Sequence, residues 1–194
     1  SLPTCSKVAN DLQFQCFDGI FMEKHQKNIM VDHQLTKAPT FNTEYVNLQK
    51  QDCNLYEGIM AAACWTEMGE IFAKAYQYQQ GEIYSNCYSA PNPDLAKRCY
   101  LQGVIILTTY SSGFDTSVKL LSLCKPFVGK REEYETCLYF MVSALMNYSV
   151  NFTDRGIKLC SNVEEVYKER CFKNLGNLLK ILAKPVAERE KLCQ

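Results

Sequence analysis

The chain has 194 residues, 47% of them hydrophobic, enough for one domain or one short repeat array with a buried core. Its 21 Lys and Arg balance 21 Asp and Glu, and zero net charge argues against the chain-wide basic footprint of a nucleic-acid or anionic-membrane binder. The longest apolar runs, 58–65 and 103–107, are far shorter than the roughly 18 residues of a membrane span, so no transmembrane segment is predicted.

Eleven cysteines punctuate the chain, and they are too regular for chance. No C-x2-C pair occurs, and only two histidines are present, so the pattern reads as a disulfide framework rather than a zinc site. That implies an oxidising, extracytoplasmic compartment, periplasmic or secreted. The first residue is Ser1, with no charged and apolar leader behind it, which reads as a mature or trimmed product.

Taken in order, Cys5 and Cys16 open the first repeat with 10 residues between them, and Phe17 follows the second cysteine. Thirty-six residues then separate Cys16 from Cys53, against 21 to 24 in the later intervals, so about 14 extra residues fall within 25–52. That stretch is polar, contains Pro39 and both His25 and His33, and reads as a long loop or irregular excursion of a functional kind. Cys53 and Cys64-Trp65 begin the second repeat, with Met68, Ile71, Phe72 and Ala75 at helical spacing. A turn over 77–81 and a return to Cys87 follow, and Pro91 and Pro93 break the chain before a helix capped at Asp94.

The third repeat runs from Cys99-Tyr100 through a turn at 111–114 and a cap at Asp115 to Cys124. The fourth carries Cys137, Tyr139, Phe140, Val142 and Leu145, turns over 147–153, and returns from Asp154 to Cys160. The sequence Ser161-Asn162-Val163-Glu164-Glu165 has the form of a capping box for the fifth, which holds Cys171-Phe172 and ends at Cys193, where a further repeat would begin. The period of about 36 residues is that of stacked helical hairpins. The expected fold is all-α: a single α-solenoid domain, 1–194, of about five αα-hairpin repeats, stapled by disulfides, with an insertion at about 25–52.

In an antiparallel hairpin, one cysteine near a helix end and another two turns into the next helix collect along one edge of the stack, within bridging reach. Two pairings follow. The short intervals join Cys5 to Cys16, Cys53 to Cys64, Cys87 to Cys99, Cys124 to Cys137 and Cys160 to Cys171, leaving Cys193 free or intermolecular. The long intervals join Cys16 to Cys53, Cys64 to Cys87, Cys99 to Cys124, Cys137 to Cys160 and Cys171 to Cys193, leaving Cys5 free. The short pairing is favoured because its closed loops stay at 10 to 12 residues, but sequence alone does not fix connectivity.

Two motifs stand out: Cys160, Val163, Tyr167, Cys171, Phe172, Leu175 and Gly176 in one, and Cys16-Phe17-Asp18-Gly19-Ile20-Phe21-Met22-Glu23 in the other. Together they resemble uncharacterised secreted bacterial proteins built of cysteine-paired helical repeats, similar in architecture to the tetratricopeptide group. Repeat four departs from the pattern, with Met141 where a small glycine would sit. The resemblance implies an extracytoplasmic αα-repeat protein used for binding, and it carries no catalytic residues.

Phosphate-binding loops, G-x-G-x-x-G, H-E-x-x-H and G-x-S-x-G are absent. His25 and His33, eight apart, lack the spacing that puts two ligands on one helical face; with Met22, Glu23, Met30 and Asp32 nearby they are weak metal candidates. Tyr76, Tyr78, Tyr84 and Tyr88 either line a recognition surface or complete a helical core. Phe17, Trp65, Tyr100 and Phe172 are expected to pack between repeats. Asn147 and Asn151 fit the N-glycosylation pattern and would carry glycans in a eukaryotic secretory protein. The expected function is that of a non-enzymatic interaction or scaffold protein without a cofactor, partnered by another protein or by subunits of an extracytoplasmic complex. The alternative is a metal or small-ligand carrier using the 25–52 insertion.

Overall fold

A computed structural model describes residues 2–24, 41–148 and 152–181, and among these every regular element is helical. Short and long helices alternate along the chain. Short α1 (Leu2–Cys5) precedes long α2 (Asn10–Lys24), α3 (Thr43–Cys53) precedes α4 (Gly58–Ala75), and α5 (Gln80–Cys87) precedes α6 (Pro93–Tyr110). In the same way α7 (Ser117–Ser122) precedes α8 (Arg131–Tyr148), and α9 (Phe152–Ser161) precedes α10 (Glu165–Ile181). Single 3-10 turns lie at Ser112–Phe114 and Lys125–Phe127.

The sulfurs of Cys5 and Cys16, Cys53 and Cys64, Cys87 and Cys99, Cys124 and Cys137, and Cys160 and Cys171 are at bonding distance, with Cα atoms 5.4–5.8 Å apart. Each bridge has the same register. Its first cysteine sits at the end of the short helix: Cys5, Cys53 and Cys87 are final residues, Cys160 is the last but one, and Cys124 lies two past Ser122. Its second cysteine is the seventh residue of the long helix in all five modules, counting Cys16 from Asn10, Cys64 from Gly58, Cys99 from Pro93, Cys137 from Arg131 and Cys171 from Glu165. The bridge therefore fixes where each long helix begins relative to the short helix before it.

Local chemistry sets those beginnings. Asn42 caps α3, its Oδ1 accepting from Tyr45 N (2.8 Å), so residues 43–53 are helical and not part of an irregular excursion. Asn92, two residues before the expected Asp94, caps α6: its Oδ1 accepts from Asp94 N (3.1 Å) and Leu95 N (3.0 Å), while Pro93 takes the first helical position. Thr116 rather than Asp115 caps α7, accepting from Lys119 N. The capping box expected at 161–165 does not form. Asn162 Nδ2 instead donates to Lys158 O (2.7 Å), closing α9 behind it.

The chain divides into two compact units, Ser1–Gly103 and Val104–Gln194, and α6 runs from the first into the second. In the first unit, α2, α3 and α5 all pack on α4, around Phe17, Phe21, Trp65, Met68, Ile71, Phe72, Ile83 and Tyr100. Here α4 and α6 approach so closely that a Cβ on Gly69 would lie 2.1 Å from the carbonyl oxygen of Cys99 and 2.8 Å from the nitrogen of Gly103. In the second unit, α9 and α10 pack on α8 and α7 packs on α9, around Leu120, Leu123, Phe127, Leu138, Met141, Val142, Leu159 and Leu175. Met141 is fully buried here, but in the cysteine register it is the fourth residue after Cys137, so Val142 and not Met141 stands where Gly176 follows Cys171.

Two ring contacts join long helices at similar levels relative to their cysteines. Tyr134 meets Tyr167 (ring centroids 4.6 Å) three and four residues before the respective cysteines, and Arg98 lies over Phe14 (5.4 Å) one and two residues before theirs. Position therefore predicts burial. The residue after the long-helix cysteine is 2% exposed or less at Phe17, Trp65, Tyr100 and Leu138, and the fifth residue after it is equally buried at Phe21, Val104 and Val142. Phe172 departs from this: it is 40% exposed, because among the described residues α10 buries only the stripe Cys171, Leu175 and Leu179 toward α8 and α9.

Gly69→Ala should lower stability by about 1–3 kcal/mol or more in urea unfolding, because its Cβ would meet backbone that cannot rotate away. Gly156→Ala, facing the flexible end of Leu175, should have a smaller effect.

Candidate functional site

Two consecutive Cys-Tyr dipeptides, Cys87-Tyr88 and Cys99-Tyr100, are joined through their cysteines, and this bridge assembles the most distinctive side-chain cluster of the first unit. Gln80, Tyr84 and Tyr88 recur every four residues along α5 and its cap, so they line one face of that helix, while Ile83 and Cys87 supply its buried face. Tyr100 on α6 is fully buried beneath them. Its ring meets Tyr84 edge-on (centroids 5.2 Å, 89°), and Tyr84 in turn lies against Tyr88 (4.2 Å, 33°). Gln80 Nε2 donates to Tyr100 Oη (2.9 Å), satisfying a hydroxyl that burial would otherwise strand. Burial pushes the Tyr100 phenol well above its ordinary range, so it stays a neutral anchor.

The cluster is graded from core to surface. Tyr100 is inaccessible, Tyr84 half-buried, and Tyr88 40% exposed. The turn that leads into α5 extends the patch: Tyr76 Oη donates to Asn86 Oδ1 (3.3 Å), and Gln77 (φ 51°) and Tyr78 (φ 61°) adopt left-handed backbone rarely used by non-glycine residues. Of these tyrosines Tyr88 is exposed and Tyr76, Tyr78 and Tyr84 are half-buried, while Tyr100 lies in the core. Rigid aromatic rings with a polar tip, held on a disulfide-anchored helix, form the sort of surface on which protein partners dock at small conformational-entropy cost.

A second feature lies between α2 and α4. Glu67, 7% exposed, sits near Asp18, and burial with the charges of Asp18 and Glu70 raises its pKa to about 8, against the opposing charge of Lys74. Burial also raises Asp18, whose Oδ1 has no hydrogen-bond partner. No group of three or more metal-ligating side chains occurs among the described residues. In the second unit a shallow groove of about 580 Å3 runs between Glu132, Glu135, Thr136 and Tyr139 of α8 and Arg170 and Asn174 of α10. Glu135 spans it, accepting from Arg131 Nε (3.0 Å) and facing Arg170 Nε at 3.9 Å.

Of the residues singled out in the sequence, Phe17, Trp65 and Tyr100 lie in the core, and Phe172 does not. His25, His33, Asn151 and Cys193 lie outside the described residues, as does the Asn147 side chain. Asp52, at the end of the expected insertion, is the final residue but one of α3, paired with Lys24 and within 3.3 Å of Tyr56 Oη. Sequence reasoning missed Gln80 and the buried Glu67. The i,i+4 spacing of Gln80, Tyr84 and Tyr88 signals the first; Glu67 sits amid an apolar helix and carries no comparable signal. No protein-family model, curated protein or solved structure matches the chain.

Glu67 gives a pH prediction. Its folded pKa (about 8) exceeds the ordinary glutamate value of 4.5, so the native state holds the proton more tightly. Its contribution to stability is complete below the lower value and is lost as pH rises through the higher. Glu67→Gln should therefore gain stability relative to wild type between these values, by at most about 1.4 kcal/mol per pH unit, in paired unfolding curves. Parallel curves for the two proteins would contradict this.

Proposed function

We propose that the chain is a non-enzymatic, extracytoplasmic binding or scaffold protein, an αα-repeat solenoid of about five disulfide-coupled modules that presents the Tyr84–Tyr88 face to a protein partner or to a subunit of a larger assembly. The observation that carries this reading is the coupling of the Cys87–Cys99 bridge to an aromatic cluster graded from buried Tyr100 to exposed Tyr88. Three further features support it. The same seventh-residue register recurs in all five modules, as a repeat protein requires. Five cysteine pairs at bonding distance favour an oxidising compartment. No helix among the described residues is long and apolar enough to cross a membrane.

The test is a photoreactive amino acid at position 88, with crosslinking in the extracytoplasmic fraction of the source organism. A discrete crosslinked protein should appear and then be purified for titration. Tyr88→Ser should weaken its binding by about 2 kcal/mol or more, the range of an interface hot spot, while the melting transition stays within that of the wild type. Tyr100→Ala should instead destabilise the fold by about 3–5 kcal/mol, as loss of a buried aromatic does. Unaltered binding by both Tyr84→Ser and Tyr88→Ser would exclude this surface.

A further inference from the structure

Both ends of the described helix series leave a long-helix face uncovered, and the two faces are the complementary halves of a contact already made within the chain. At the α4–α6 contact, the fifth residue after the α4 cysteine, Gly69, lies against α6 at Cys99, Gln102 and Gly103, which are that helix's cysteine and the third and fourth residues after it. On α10 the fifth residue after the cysteine is again a glycine, Gly176, yet no described residue lies within 4 Å of a Cβ built there, and Phe172 beside it is 40% exposed. The α4 counterpart of Phe172 is Trp65, which is fully buried.

On α2, the positions of Cys99, Gln102 and Gly103 are taken by Cys16, Gly19 and Ile20. Cys16 and Ile20 are partly exposed, whereas Cys64, Cys99, Cys137 and Cys171 are 1% exposed or less. No described residue lies within 4 Å of a Cβ on Gly19, and Leu12, one turn earlier, is 53% exposed. Glycine inside a helix lowers its stability by about 1 kcal/mol relative to alanine, and among the described residues neither Gly19 nor Gly176 has a neighbour that calls for glycine. Close approach of another helix supplies one. Charge agrees past the cysteines: the exposed charged residues there are Lys173 and Lys180 on α10, and Glu23 and Lys24 on α2, of which Lys24 is paired with Asp52, with Glu23 seven and Lys180 nine residues past their cysteines.

We propose that copies of this chain associate head to tail, the Phe172–Gly176 face of α10 in one copy seated on the Leu12–Cys16–Gly19–Ile20 face of α2 in the next. The contact repeats the α4–α6 geometry between molecules. Because the two faces differ, the association is heterologous and extends into rings or open arrays instead of stopping at a symmetric dimer. It uses neither Tyr84 nor Tyr88 and is independent of partner binding there.

The experiment is sedimentation velocity and light scattering on the oxidised chain over a wide concentration range. Wild type should show a mass that rises stepwise with concentration. Gly176→Trp and Gly19→Trp, both placed in open space, should each be monomeric with native helicity, and an equimolar mixture should form a dimer and nothing larger, since each variant keeps one working face. Phe172→Asp, at an exposed position, provides a second block of the α10 face and should behave as Gly176→Trp does. A wild type that stays monomeric throughout would overturn the proposal. So would assembly of either tryptophan variant alone, which would indicate a symmetric or different interface.

Discussion

The disulfide between the end of a short helix and the seventh residue of the next long helix is the constraint on which the rest of the molecule depends. A helix this short has little stability of its own, since a costly nucleus must be offset by very few hydrogen bonds. α1 has 4 residues and α7 has 6. Bridging such a helix to the second turn of its neighbour removes entropy from the unfolded chain, by about 2–4 kcal/mol per bridge in typical cases. It also fixes a common level along every long helix. Burial can then follow position: the residue after the cysteine and the fifth after it turn inward in module after module, as Phe17 and Phe21, Trp65 and Gly69, and Leu138 and Val142 do.

The same constraint explains why the tyrosine surface is ordered. Tyr88 and Tyr100 are each covalently adjacent to one half of a bridge, and Tyr84 lies against both. The rings are therefore held in place in the free protein, as the proposed docking surface requires. Where no described helix covers an inward position, the pattern is equally informative. Phe172 and Gly176 occupy inward positions of the module but are exposed in α10. Glu67 is a further local conflict: a carboxyl in an otherwise apolar helix face, beside Asp18, held neutral by its surroundings.

Much of the architecture was legible from cysteine spacing alone. The all-helical class, the alternation of helices around the cysteines, and the burial of Phe17, Trp65 and Tyr100 follow from periodicity and from the aromatic after each second cysteine. Boundaries were less legible, because several residues near each turn are competent caps. Asn92 outcompetes Asp94 since Pro93 favours the first helical position, and Thr116 outcompetes Asp115, whose carboxylate pairs with Lys119 instead. Residues 43–53 give little helical signal because most of their side chains are polar; only Val46 and Cys53 are buried there. The exposure of Tyr88 depended on which side of α5 faces α6, and that follows from the pairing of Cys87, which spacing leaves open.

The most direct test is peptide mapping of the unreduced protein after alkylation of free thiols. Linked peptides joining Cys5 to Cys16, Cys53 to Cys64, Cys87 to Cys99, Cys124 to Cys137 and Cys160 to Cys171 are expected, with no link between Cys64 and Cys87. Links joining Cys16 to Cys53, Cys64 to Cys87 or Cys99 to Cys124 would contradict the seventh-residue register, and with it the assembly of the tyrosine cluster.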